Sequence, residues 1–143
     1  MIAALVPELD VSDLDASLAF YRDILGFDVL YRRAEARFAY LRRDGAELML
    51  EEAAGPGRRF RTAPLEPPFG RGVNFQIRVG DVRALLARVD EARARVVIGL
   101  EEQWYRREAE EVGNRQFVVA DPDGYLLRFF EDLGVRPGSR PPG

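Results

Sequence analysis

The stretch LVPELDVSDLDASLAFYRDILGF (residues 5–27) decides the fold. Its first part, together with residues 3 and 4, is extended and mostly apolar, which predicts a strand over 3–11. Ser12 and Asp13 then supply an N-cap signal, with Asp15 placed to reach back. Leu14, Leu18, Tyr21 and Leu25 follow at the spacing of one helix face, and Gly26 stops the helix. The same order returns further on. Residues 73–79 alternate as a strand, Gly80-Asp81 caps a second helix, and Val82, Leu85, Leu86 and Val89 form its apolar face. Asp13 and Asp81 lie 68 residues apart, and that shift also pairs Val11 with Val79, Leu14 with Val82 and Leu18 with Leu86. Coincident helix faces are the mark of an internal repeat.

Each half ends in the same way. Phe38-Ala-Tyr-Leu-Arg-Arg-Asp44-Gly45 runs into residues 46–52, and Phe117-Val-Val-Ala-Asp-Pro-Asp123-Gly124 runs into 125–131. Strand, Asp-Gly and strand predict a hairpin in both places. Further strands over 27–32 and 96–100 give each half the order β-α-β-β-β. The expectation is an α+β fold: two βαβββ repeats, 1–53 and 73–132, whose curved mixed sheets enclose a cavity within a single domain, 1–132. The connector, 54–72, holds most of the internal Gly and Pro and reads as a mobile segment beside a site. The Pro/Gly-rich end, 133–143, reads as a flexible tail. A duplicated core with nothing inside it is the plain alternative.

Composition removes much chemistry. Hydrophobic residues are 47% and charged residues 31%, so the chain is globular rather than disordered. It has neither Cys nor His, hence no disulfide framework, thiol nucleophile or imidazole ligand or base. All 21 basic residues are Arg, which excludes Schiff-base chemistry. A net charge of −3 gives no general attraction to nucleic acid or acidic membranes. No apolar run approaches the roughly 20 residues of a membrane span, and no leader pattern opens the chain. A cytoplasmic protein with neither membrane nor nucleic-acid partner is expected.

The motifs at 5–27, DGAELMLEE at 44–52 and DPDGYLLRFFE at 121–131 resemble the vicinal-oxygen-chelate superfamily of glyoxalases, extradiol dioxygenases, fosfomycin-resistance enzymes and bleomycin-resistance proteins. One scaffold hosts many chemistries there, so the resemblance by itself names no reaction. In its metal-using members, ligands stand seven residues before the capping Asp and four after the hairpin Gly. Those positions here are Val6, Asn74, Met49 and Arg128. Val and Met are not ligands for a hard divalent cation, a lone amide is a weak one, and Arg repels it. The resemblance therefore narrows to the metal-free bleomycin-resistance proteins, with no cofactor, no metal and no catalytic residue expected. It is closest in Val6-Pro7, LMLE at 48–51 and the Arg at 128. That group implies a homodimer with exchanged N-terminal arms, so Val6 and Pro7 are expected at the dimer contact. A Pro that only blocks a strand edge is the competing reading of Pro7.

Bleomycin-type drugs are large, cationic and carry flat rings, so a binder needs carboxylates and aromatic faces. The expected ligand-binding residues are Phe38, Tyr40, Met49, Glu51, Asn74, Trp104, Tyr105 and Arg128. Glu52, Phe60 and Phe69 are further candidates, as are the acids of 101–111. Phe38 is either a site residue or core. Trp104 and Tyr105 are expected in a long loop. Arg128 either pairs with Glu51 or holds a ligand carboxylate. Several bleomycin binders carry Trp-Gly where this chain has Gly113-Asn114. The ligand then depends on whether Trp104 replaces that ring. The competing classes are a glyoxalase- or dioxygenase-like lyase or isomerase with a non-standard site, and a small-molecule sensor or accessory subunit.

Overall fold

A computed structural model describes residues 2–138. It contains two four-stranded mixed sheets built from two βαβββ units. The chain divides into two compact units, Met1–Arg71 with Asp121–Tyr125, and Gly72–Ala120 with Leu126–Gly143.

In the first unit, β1 (Glu8–Val11) leads through helix α1 (Leu14–Leu18) to β2 (Asp28–Arg33), β3 (Phe38–Arg43) and β4 (Ala46–Glu52). The sheet order is β1-β4-β3-β2, with β1 parallel to β4 and the other pairs antiparallel. Alternation along the strands separates two faces. Leu9, Val11, Ala39, Leu41, Leu48 and Leu50 turn to one side and are buried. Leu14, Leu18, Tyr21 and Leu25 complete this core. Each such aliphatic side chain contributes about 1.5–3 kcal/mol by leaving water.

The expected continuous helix to Leu25 is divided. After Leu18 the chain widens into a π-helical stretch, Ala19–Ile24, closed by Leu25 N–H donating to Phe20 O and ended by Gly26 at φ 79°. Apolar spacing does not report this widening, because it leaves Tyr21 and Leu25 buried. The first strand is also shorter than expected: it starts at Glu8, so Val6 and Pro7 precede it.

In the second unit, β5 (Asn74–Arg78), α2 (Val82–Glu91), β6 (Arg95–Arg107), β7 (Glu110–Ala120) and β8 (Leu126–Pro137) form the order β5-β8-β7-β6. Val82, Leu85 and Val89 of α2 are buried, as are Ile77, Phe117, Val119, Leu127 and Phe129 of the sheet. The repeat extends to the caps. Asp13 Oδ1 accepts from Ala16 N–H at 3.1 Å and Asp81 Oδ1 from Ala84 N–H at 2.9 Å. Glu52 accepts from Leu14 N–H at 3.2 Å, and Glu131 from Val82 N–H at 2.7 Å.

Three expectations are corrected here. Strand β6 extends to Arg107, well past residue 100, so Trp104 and Tyr105 are strand residues rather than loop residues. Strand β8 continues through the supposed flexible tail to Pro137, pairing Val135 with Val112 and Arg136 with Glu111; 139–143 lie outside the described residues. Cross-strand pairs outweigh the loop-like composition of these segments. The second Asp-Gly belongs to a five-residue connection, Asp121–Tyr125, not to a two-residue turn like Asp44-Gly45. That connection folds with the first unit.

Candidate functional site

The second face of the first sheet is where the candidate residues gather. Alternation and register place Glu8 and Asp10 of β1, Glu47, Met49 and Glu51 of β4, Phe38 and Tyr40 of β3, and Tyr31 of β2 on this side. Phe38 and Tyr40 are buried, so site and core are one environment for them. Tyr31 stacks on Tyr40 with ring centroids 5.2 Å apart, and the Arg33 guanidinium lies 4.0 Å from the Phe38 centroid. Tyr40 OH donates to Glu47 at 2.5 Å. This bond pushes the Tyr40 hydroxyl up to about 12 and holds Glu47 below the usual carboxylate range, with Ala3 N–H and Arg42 assisting.

Beyond the rings the face becomes acidic, and the connector supplies cations to it. Arg59 Nη1 lies 2.8 Å from Glu51, and its buried Nε is 3.3 Å from Asp10. Arg61 Nε lies 3.0 Å from the other Asp10 oxygen. Both arms are tied back to β4 and its end: Arg59 donates to Glu52 O, and Arg61 donates to Ala53 O at 2.9 Å. Gly57 permits this approach, since a Cβ there would stand 1.8 Å from Glu51 Oε1. Burial, followed by the neighbouring Glu51 and Asp10, raises the Glu8 carboxyl above its ordinary value, with Arg59 opposing. Beside Glu8 and Asp10 the connector borders an open cavity of about 510 Å³, walled by Phe60, Phe69 and Tyr125. Tyr125 OH donates to Asp10 O at 2.8 Å, and Phe69 meets the Tyr125 ring edge-on at 6.1 Å.

The second unit holds the remaining candidates. Asn74 is exposed at the start of β5. Arg128 donates to Gln76 Oε1, while its buried Nε finds no acceptor among the described residues. Glu51, one of the two partners expected for Arg128, takes a cation from Arg59 of the connector. Trp104 and Tyr105 are consecutive in a strand and so face opposite sides, which separates two residues that reading them as a loop had joined. Tyr105 OH accepts from Gln116, which also donates to Glu101 at 3.0 Å. Trp104 lies across Gly113, where a Cβ would be 2.6 Å from its ring, and Arg136 covers it at 4.0 Å. The Trp104 ring thus occupies the space over position 113. Glu52, a carboxylate candidate, is occupied as a helix cap and by Arg37 at 2.8 Å.

Sequence reasoning missed Glu8, Asp10, Tyr31, Glu47, Arg59 and Arg61. The first two were signalled by the alternation of Glu8-Leu9-Asp10-Val11, which sends both acids away from the helix. The arginines carried no local signal.

The family model described as Glyoxalase/Bleomycin resistance protein/Dioxygenase superfamily matches residues 4–129. The chain belongs to that superfamily. Bleomycin resistance proteins of Geobacillus stearothermophilus and Staphylococcus aureus (strain MRSA252) are each 28% identical over 137 residues, covering 90% of this chain and 96% of theirs. Among solved structures, TioX from Micromonospora sp. ML1 has a TM-score of 0.72 at 24% identity, covering 90% of this chain and 98% of that one, and shares the fold.

Many superfamily members use a metal, and the side chains here do not fit one. Val6 and Met49 offer no hard donor, Asn74 offers one amide oxygen, and Arg128 brings a cation. Among the described residues, no group of three or more His, Cys, Asp or Glu is arranged to hold an ion. No helix of the described residues is long and apolar enough to cross a membrane.

Proposed function

We propose that the chain is a metal-independent binding protein that sequesters a bleomycin-type antibiotic, or a similar aromatic and cationic ligand, without chemistry. The observation that carries this reading is the face of the first sheet turned away from α1, where Tyr31, Phe38 and Tyr40 adjoin the carboxylates of Glu8, Asp10, Glu47 and Glu51. Flat rings and clustered carboxylates are what a cationic heteroaromatic ligand requires. The names of the two resistance proteins support the same reading. Phe38, Tyr40, Met49 and Glu51 contact ligand in this proposal. Within the second unit, Asn74, Trp104, Tyr105 and Arg128 are the proposed ligand contacts.

Titration calorimetry with copper-free and copper-loaded bleomycin tests the reading. Saturable binding at a dissociation constant of about 10 μM or tighter (~7 kcal/mol) is expected. No heat at high micromolar protein overturns the drug assignment, and stoichiometric zinc, iron, nickel or manganese in the purified protein overturns metal independence.

A cytoplasmic homodimer belongs to the same proposal. The arm before β1 is held by Ala3 N–H on Glu47 at 3.0 Å and by Pro7 O accepting from Met49 N–H at 2.8 Å. In the proposed dimer the arms exchange at Val6-Pro7, and an identical arm from a second copy makes the same two bonds. Light scattering at twice the chain mass is the expected result; a monomer at all concentrations overturns it.

A further inference from the structure

We propose that Arg59 and Arg61 of the connector stand in for the ligand's own cation, so that the acidic face of Glu8, Asp10 and Glu51 receives a planar amidinium or guanidinium group once the connector withdraws. This inference rests on the reading that the face of the first sheet turned away from α1 is the ligand site, and it names the chemical group that enters there.

The geometry supports it in three ways. The two oxygens of Asp10 face different guanidinium groups, Arg59 Nε at 3.3 Å and Arg61 Nε at 3.0 Å, and Glu51 faces Arg59 Nη1 at 2.8 Å. A carboxylate set matched to forked planar donors is selective for such donors over a compact ammonium. The arms come from a segment without helix or strand, so their grip on the face depends on side chains and a few backbone bonds rather than on a ladder. Third, Glu8 has no ion pair among the described residues, and its side chain meets Glu51 instead. Beside Glu8 and Asp10 lies the 510 Å³ cavity with the Phe60, Phe69 and Tyr125 rings, space for the ring that carries the cation.

Displacement of one guanidinium by another leaves the buried Glu51 and the half-buried Asp10 paired throughout, so the exchange avoids stranding their charges. The cost is that the open form is a minor one, and apparent affinity falls by the fraction open. Removing the internal cations should therefore tighten binding.

The probe is benzamidinium, a ring bearing an amidinium, with neutral benzamide as the control of equal shape. Both are titrated by NMR and calorimetry into the full chain and into the R59Q/R61Q variant. R59Q/R61Q is expected to bind benzamidinium at least tenfold more tightly, benzamide should show no gain, and Asp10→Asn introduced into that variant should remove the gain. Equal or weaker benzamidinium binding by a folded R59Q/R61Q overturns the inference, and so does an equal gain for benzamide. Should the double variant not fold, R61Q alone decides, with a gain of about threefold expected and no gain overturning it. The bleomycin titration fails or succeeds separately: a benzamidinium gain without bleomycin binding removes the drug and keeps the stand-in, and bleomycin binding without that gain does the reverse.

Discussion

Asp121 is a buried carboxyl with an unusual set of donors. Its Oδ2 accepts from Tyr21 OH at 2.8 Å, and its Oδ1 accepts from the backbone N–H groups of Asp123 and Tyr125, each at 2.9 Å. Burial outweighs these bonds and pushes the carboxyl from 3.8 up to about 6. A carboxyl with a raised folded value binds more protons folded than unfolded between those limits. Its contribution to stability is therefore most favourable below about pH 4 and declines as pH rises to about 6. The full difference is at most about 3 kcal/mol, at about 1.4 kcal/mol per pH unit. Asp121→Asn keeps an acceptor for the two N–H groups and cannot ionise. Relative to the parent, it should be more stable at pH 7 than at pH 4.5 by about 2 kcal/mol, measured by urea unfolding at both pH values. An identical difference at the two pH values would contradict the buried-charge account.

At the scale of the elements, β6 and β7 test what cross-strand packing can hold. Trp104 is the only Trp, so its fluorescence reports one place: the ring over Gly113 and under Arg136. Gly113→Ala puts a methyl where the ring lies. The expected result is a red-shifted emission with little change in far-ultraviolet dichroism; an unshifted spectrum would mean that the ring is seated elsewhere. In α2 the two caps are separable. Asp81→Ala removes the bond to Ala84 N–H and Glu131→Ala the bond to Val82 N–H, and each should cost about 1–2 kcal/mol in unfolding free energy. The repeat was legible because Asp13 and Asp81 cap helices whose apolar spacing agrees, and that is local information. The extension of β6 through Trp104 to Arg107 was not, because charged residues hide a strand whose pairing is decided by β7. Within the candidate site, alternation made it legible that Phe38 and Tyr40 share one face, as do Met49 and Glu51. Arg59 and Arg61 were not legible, since their partners, Asp10 and Glu51, lie in different strands.

For the molecule as a whole, chain order and folding order do not coincide. The first unit needs Asp121–Tyr125, a segment synthesised some fifty residues after the rest of it. Four bonds within that unit depend on this segment: Tyr21 OH to Asp121, Ser12 N–H to Asp123 at 3.1 Å, Phe69 N–H to Asp123 O at 2.8 Å and Tyr125 OH to Asp10 O. Without it the buried Tyr21 hydroxyl loses its acceptor, at a cost of about 1–3 kcal/mol, and the Tyr125 ring no longer walls the cavity. A half-length sheet has little stability to spare for such losses. A fragment of residues 1–72 should therefore lack the dichroism and cooperative melting of a folded unit, although its βαβββ pattern is complete. Adding a second fragment, 73–143, should restore both, because it carries 121–125. Independent cooperative folding of 1–72 would show that the tie is dispensable, and that each repeat retains the autonomy its sequence pattern suggests.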